Sequence, residues 1–289
     1  MRVILIGAGG QLGSDLAQVL ASRPGVSLYP LTHAQLDITQ LEQVHAVLAE
    51  KRPEAVINTA AYHRVDDCET YLSQAFAVNA VAVAQLAAIT HELGAVLVHF
   101  STDYVFDGRK GEPYVEGDAP APLSVYGMAK LAGEQLLRQR HPRHVIVRTS
   151  GLYGVAGSSG KGGNFVETML RLAREKGQAR VVTDQVTAPT FTADLAQAVV
   201  ALMASGQYGT FHLAGATPAS WFDFAQGIFR LCGLQVALEP ITSAELGSKA
   251  RRPAYSAMRS VQAPAAVLQY LRGWEQALPD YLRCKGHIH

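Results

Sequence analysis

The chain has 289 residues, 48% of them hydrophobic and 17% charged, which is enough for one sizeable core or a core with an attached lobe. A formal net charge of +1 supplies no global field for nucleic acid or a membrane surface. Cys68, Cys232 and Cys284 stand far apart with no Cys-x-x-Cys spacing, so a disulfide framework or zinc site is not expected and reduced, cytoplasmic thiols are.

The opening MRVILIGAGG carries too short an apolar run for a signal peptide. No later stretch approaches the ~20 apolar residues of a membrane span. Arg2 to Ile6 reads as a strand stopped by Gly7. Gly7-x-x-Gly10-Gln11-Leu12-Gly13 follows, and then the helical pattern DLAQVLAS. Strand, glycine turn and helix are the context that a dinucleotide site requires. Gly7 permits the tight turn, Gly10 lets a pyrophosphate approach the backbone, and Gly13 lets the helix pack on the strand. Val26 to Leu31 is a second strand with no acid at its end, so a cofactor 2′-phosphate meets no repulsion there. Asp37 either caps the helix through LEQVHAVLAE or lies near an adenine. Ala55 to Asn58 is a third strand, ending in small residues that let a cofactor pass. A long helix from about Tyr71 to Leu93 carries Asn79. His63, Asp66, Asp67 and Glu69 read as loop and cap residues rather than metal ligands, and no cluster in the chain has metal-ligand spacing.

The stretch Val96 to Glu134 organises the rest. VLVHF is a buried strand, and Ser101, Thr102 and Asp103 stand at its end, where open α/β sheets bind ligands. Tyr126 and Lys130 share one face of the next helix. A free tyrosine has a pKa near ~10. A neighbouring ammonium would lower it, so that Tyr126 protonates the alkoxide formed when hydride attacks a carbonyl and Thr102 bonds the same oxygen. The spacing alone is weak: Tyr281 and Lys285 repeat it, and read as a solvated helix end beside a frayed His287–His289 tail.

HVIVRTS (144–150) is a further strand. VAGSSGKGGN is a Gly/Ser-rich loop that lacks the spacing of a phosphate-binding loop at Gly160-Lys161. Helices are expected over Phe165 to Lys176, from the N-cap candidate Thr192 through DLAQAVVALM, and over WFDFAQGIFRLCG; GTFHLAG is a strand. Arg252, Pro253 and Ser256 lie in an extended segment, and a last helix covers about Val261 to Leu282. The alternation predicts an α/β, Rossmann-type doubly wound parallel sheet with a smaller C-terminal substrate-binding lobe. Residues 1–150 form the dinucleotide-binding domain and 151–289 mainly the lobe, with about 179–204 returning to the sheet.

Several blocks then converge: the glycine turn, LDIT at 36–39, Ala60-Ala61-Tyr62, STDYVFDG at 101–108, Tyr126-x-x-x-Lys130-x-x-x-Glu134, RTS at 148–150, Pro189-Thr190 and Arg252-Pro253 with Ser256. In these the chain resembles the extended short-chain dehydrogenase/reductases and, within them, the dTDP-4-dehydrorhamnose reductase family. The resemblance implies NADPH, with NADH also allowed, reducing the C4 ketone of dTDP-4-dehydro-β-L-rhamnose to dTDP-β-L-rhamnose. It makes Tyr126 the proton donor, Lys130 the holder of the nicotinamide ribose and tuner of Tyr126, and Thr102 and Asp103 the partners of the sugar. Gly7, Gly10, Gln11, Leu12, Asp37, Ile38, Ala60, Ala61, Tyr62 and Ser101 would line the cofactor, and Asn164 and Arg252 would meet the sugar nucleotide. No metal ligand is assigned, since no cluster has ligand spacing, and dependence on a divalent ion stays open; charge and apolar runs argue against nucleic acid or a membrane, and a homodimer stays open. Where the family has Trp after Arg-Thr-Ser, this chain has Gly151, which removes an aromatic face from the sugar pocket. Tyr104 after Asp103 argues against a dehydratase, which needs an acid there. An epimerase of another nucleotide sugar, or a non-catalytic subunit similar to the methionine adenosyltransferase β subunit, are the alternatives.

Overall fold

A computed structural model describes residues 1–157 and 163–289. The expectations for the Gly/Ser-rich loop and for Gly160-Lys161 fall on 158–162 and lie outside the described residues. Six short apolar runs form the main sheet: β1 (Arg2–Ile6), β2 (Ser27–Leu31), β3 (Ala55–Asn58), β4 (Val96–Thr102), β5 (His144–Thr149) and the last, Gly209–His212. All pair in parallel, in the order Gly209–His212, β5, β4, β3, β1, β2. The strand order reverses between β1 and β3, and ligands bind open α/β sheets in the crevice at such a reversal. Thr59 closes it: its amide donates to Ile6 O at 3.0 Å and its hydroxyl to Ile6 O at 2.8 Å.

Helices cover both faces, as buried parallel strands require. On one side α1 (Gln11–Ala21) turns Leu12, Leu16, Val19 and Leu20 inward, and each buried leucine contributes roughly 1.5–3 kcal/mol. Thr192–Ala204 packs beside it, with Val267 and Leu271. On the other side α2 (Leu41–Lys51), α3 (Leu72–Glu92) and α4 (Val125–Arg140) cover Ile4, Ile6, Val56, Leu97 and Ile146. By length and composition α3 could cross a membrane, which the sequence reading did not anticipate; half of its most apolar window is buried in the protein. Nor is it a plain helix. Ala77–Val81 forms a π-turn, and Asn79 there clamps Tyr62, accepting from its N and donating to its O at 3.0 Å each.

The smaller lobe has its own core. Helices α5 (Phe165–Lys176), Trp221–Leu231 and Trp274–Cys284 pack Val166, Leu170, Phe224, Ile228, Trp274 and Leu278 around Tyr153. Several expectations change here. The segment returning to the sheet begins and ends later than 179–204: Gln178–Val182 pairs with Ala237–Ile241 in the lobe, while Thr192–Ala204, the second half of that range, and then Gly209–His212 rejoin the Rossmann part. Thr192 is not an N-cap but the first helical residue; its hydroxyl donates to Asp15 at 2.5 Å, tying this helix to α1. The last helix is broken, because Gly273 caps Trp274–Cys284 and Arg272 just before it pairs with Asp194 and Asp280. Tyr281 is buried, not solvated, donating to Glu167 at 2.6 Å, and His287 meets the same carboxylate at 3.0 Å, so the tail is held.

Candidate active site

Of the three fingerprint glycines in the first turn, Gly7, Gly10 and Gly13, two are explained by packing alone. Gly7 sits at φ +83°, and a Cβ there would lie 2.5 Å from the Thr59 hydroxyl. A Cβ on Gly13 would lie 2.2 Å from Gly7 O. Gly10 differs: its backbone is extended, and a Cβ would meet only Gly7 O, at an ordinary 3.4 Å. The protein does not need glycine at 10, so the bare backbone there, at the N-terminus of α1, fits a ligand phosphate. Gly10→Ala is therefore expected to leave the melting temperature within about 2 °C while weakening nicotinamide cofactor binding roughly tenfold or more. Gly13→Ala is expected to lose stability instead. Calorimetry and cofactor titration on the two variants separate the effects, and equal melting losses would remove the ligand argument.

Gln11 follows, its amide donating to Leu152 O at 3.3 Å while its Oε1 is buried without a partner among the described residues. Ala60 and Ala61 are half-buried at the end of β3. Leu12 and Ile38 are core side chains, so any cofactor contact at Ile38 runs through its backbone. Asp37 does not cap α2, whose N-cap is Gln40. Burial pushes its carboxyl up, but Thr39 N and Oγ1 at 2.9 and 2.8 Å, with His33 nearby, outweigh this and hold it low.

Helix α4 is positioned by its N-terminus. Ser124 accepts from Gly127 N at 3.2 Å, and Glu69 accepts from Val125 N at 2.8 Å. Gly127 lets the helix touch the end of β4, since a Cβ there would lie 2.2 Å from Tyr104 O. Gly133 does the same against the π-turn, where a Cβ would lie 2.1 Å from Asn79 O. These contacts bring Tyr126 beside Tyr62, Phe76 and Ala129, with Tyr104 edge-on at 5.9 Å. The predicted donor and the predicted cofactor-lining tyrosine thus share one cluster.

The tuning differs from expectation. Burial pushes the Tyr126 phenol well up, with Asp103 and Tyr104 adding to the shift and the facing Thr102 hydroxyl opposing it. Lys130 is buried and turned away, donating to Phe100 O at 2.5 Å and meeting His99 Nε2 at 3.3 Å. In this state it does not lower Tyr126. Ser101 is buried near the Glu134 carboxylate, not open to the crevice.

Asp103 is the other unusual group. Thr102 donates to its Oδ1 at 3.0 Å and Ser256 to its Oδ2 at 2.5 Å, joining β4 to the extended segment. Burial pushes its carboxyl up to about 6, and the bonds from Ser256 and Thr102 oppose this. The folded value lies above the unfolded one, so the proton is held more tightly when folded and stability falls as pH rises from about 4 to 6. Asp103→Asn is expected to gain roughly 1–3 kcal/mol at pH 8 and nothing at pH 4. Urea titrations at both pH values check this; an equal effect at both would exclude the carboxyl as its source.

Arg252 lies near the grouped tyrosines, donating to Asp66 at 2.8 and 3.3 Å and lying against Tyr104. Asn164 has its partners elsewhere. Its amide is used within the lobe, accepting from Glu167 N at 3.2 Å as helix cap and donating to Gly154 O and Tyr281 OH at 3.2 and 3.1 Å. Gly151 stands at φ +56°, and a Cβ would lie 3.1 Å from Pro189 Cα, so a tryptophan there would be strained in this backbone. Sequence reasoning left Glu134 without a role. It is fully buried, and Arg148 Nε and Nη2 bond it at 2.9 and 2.7 Å, with Arg138 at 2.8 Å. Glu134 and Arg148 both fall in the motifs that carry the family resemblance, which is the signal for them in the sequence.

Residues 1–285 match the family model described as the RmlD substrate binding domain. A dTDP-4-dehydrorhamnose reductase of Mycobacterium tuberculosis (strain H37Rv) is 41% identical over 287 residues, covering 97% of this chain and 92% of that one. A dTDP-4-keto-6-deoxy-D-glucose reductase of Streptomyces niveus is 38% identical over 281 residues, covering 96% and 95%. The crystal structure of the Bacillus anthracis dTDP-4-dehydrorhamnose reductase in complex with NADP superposes with a TM-score of 0.89 at 39% identity, covering 98% of each chain. With a glycine turn at the strand reversal and Tyr126, Thr102 and Asp103 grouped at the end of β4, this chain belongs to the RmlD substrate-binding-domain family, on the dinucleotide-binding α/β fold of the extended short-chain dehydrogenase/reductases.

Proposed function

We propose that the protein is an NADPH-dependent reductase of a dTDP-4-keto-6-deoxy sugar, converting dTDP-4-dehydro-β-L-rhamnose to dTDP-β-L-rhamnose in the making of the activated sugar. The observation that carries this reading is the grouping of Tyr126, Thr102 and Asp103 beside the crevice at the strand reversal. The bound cofactor supplies the hydride that reduces C4. Gly10 admits its phosphates, and Gln11, Ala60, Ala61 and Tyr62 line its path. Tyr126 gives its proton to the oxygen left at C4, and Thr102 bonds that oxygen so the charge is never unpartnered. Tyr126 and Thr102 touch each other's field, so a ketone oxygen between them meets two hydroxyls at once. Arg252, braced on Asp66, offers a cation to the sugar nucleotide.

Gly151 favours weighing a second sugar, because the residue that would face the hexose here has no side chain. The deciding assay supplies the purified protein with NADPH and either dTDP-4-dehydro-β-L-rhamnose or dTDP-4-keto-6-deoxy-D-glucose. Oxidation with the first supports the full reading, and oxidation with the second alone keeps the reductase but changes the sugar. No oxidation with either removes it in favour of a cofactor-binding subunit. A cytoplasmic location is expected, since nucleotide sugars and reduced nicotinamides are cytoplasmic metabolites; fractionation of cells producing the native chain tests it.

A further inference from the structure

The family resemblance gives Lys130 the nicotinamide ribose and the tuning of Tyr126 but leaves its neighbour His99 without a task. His99 is fully buried in the middle of β4, in register with Asn58 of β3. A buried imidazole in a parallel strand needs its two nitrogens satisfied. Nδ1 lies 3.3 Å from Asn58 Nδ2, and Nε2 lies 3.3 Å from Lys130 Nζ.

The direction of these bonds follows from a fixed donor. The backbone N–H of Ala60 donates to Asn58 Oδ1 at 3.1 Å. That bond sets which end of the Asn58 amide is oxygen, so its NH₂ must be the end facing His99. Nδ1 is therefore an acceptor, and a neutral ring then carries its proton on Nε2, aimed at Lys130. An ammonium has three donors and no acceptor, and would meet that N–H donor to donor. A neutral amine fits: it accepts from His99 and donates to Phe100 O.

We propose that His99 is a positioning residue for Lys130: held by Asn58 with its proton on Nε2, it stores Lys130 as a neutral amine that takes up a proton when the cofactor binds. The inference rests on the cofactor-binding reading given above. The surroundings agree. Burial pushes Lys130 down to about 8, opposed by Glu134 one turn along α4. Glu134 is itself held by Arg148 and Arg138, which leaves it little charge to offer. From β4 only His99 and the Phe100 carbonyl bond the amine, and from β3 Asn58 touches the far side of the ring. Burial pushes His99 well below its ordinary value, so the ring stays neutral beside an uncharged Lys130. Ribose hydroxyls arriving in the crevice give Lys130 acceptors that an ammonium bonds better than an amine does. At pH 8 and above, the charge that would make Tyr126 more acidic is then completed only when the cofactor is loaded.

The test is proton uptake during binding of NADH, which has no 2′-phosphate to titrate. Calorimetry on the full chain at pH 8, in buffers of different ionisation enthalpy, counts the protons. Wild type is expected to take up about half a proton at pH 8 and almost none at pH 6. Lys130→Met should abolish the uptake. His99→Gln replaces the fixed Nε2 donor with an amide that can turn its oxygen to an ammonium, and Asn58→Asp keeps the Ala60 bond but reverses the ring's proton. Each should leave Lys130 already charged and cut the uptake at pH 8 at least about fivefold. Should one variant not fold, the other decides. NADH binding to wild type with no uptake, or uptake unchanged in the variants, overturns the inference and leaves the reductase reading standing. A wild-type protein that binds no nicotinamide at all overturns both.

Discussion

Tyr126→Phe is expected to lower turnover about 10³-fold while leaving cofactor affinity within about threefold. The ring keeps its edge-on contact with Tyr104 and its place beside Tyr62, Phe76 and Ala129, so only the O–H is lost. A phenol pushed up by burial is fully protonated at any working pH, and so always holds the proton to be given. What it lacks is driving force, because the phenolate left behind is poorly solvated. Thr102 supplies part of that stabilisation. Pre-steady-state kinetics of NADPH oxidation, beside cofactor titration, check the split. Turnover within tenfold of wild type would assign the proton to another group.

Glu134→Gln is expected to cost about 3–5 kcal/mol, on the order of 10 °C in melting temperature, with little selective effect on cofactor binding. Arg148 is 2% exposed and gives Glu134 a two-pronged bond, so neutralising the carboxylate strands a guanidinium inside the protein. Burial pushes the Glu134 carboxyl up, yet Arg148 and Arg138 hold it below the ordinary range, the sign of a charge needed where it stands. Arg138→Met removes only the half-exposed arm and is expected to cost under about 1 kcal/mol. Thermal melts of the two variants check the contrast; equal losses would show that Arg148 is not the partner that counts.

The repeating units of this fold are legible locally. A short β-branched run, a glycine turn and an amphipathic helix each follow from nearest neighbours in the chain, and Ala55–Asn58 forms a strand with the bounds its composition predicts. The same holds for Tyr126 and Lys130, whose spacing sets them on one helical face. Where those side chains point is not local. Lys130 turns to His99 and Phe100 O because α4 lies close on β4, an approach that depends on Gly127 and Gly133 meeting backbone far away in sequence. The π-turn at Asn79 and the break before Gly273 likewise come from tertiary partners, Tyr62 in one case and Asp194 in the other, which override helix propensity. Asn164 looked like a ligand contact until the lobe core claimed both ends of its amide. Residue type and spacing by themselves determined the fold class and singled out Tyr126 as the phenol of the proposed reaction. Only packing, by choosing which polar atoms lose water and which neighbours replace it, decided the charge on Lys130, the raised carboxyl of Asp103 and the buried pairing of Glu134 with Arg148.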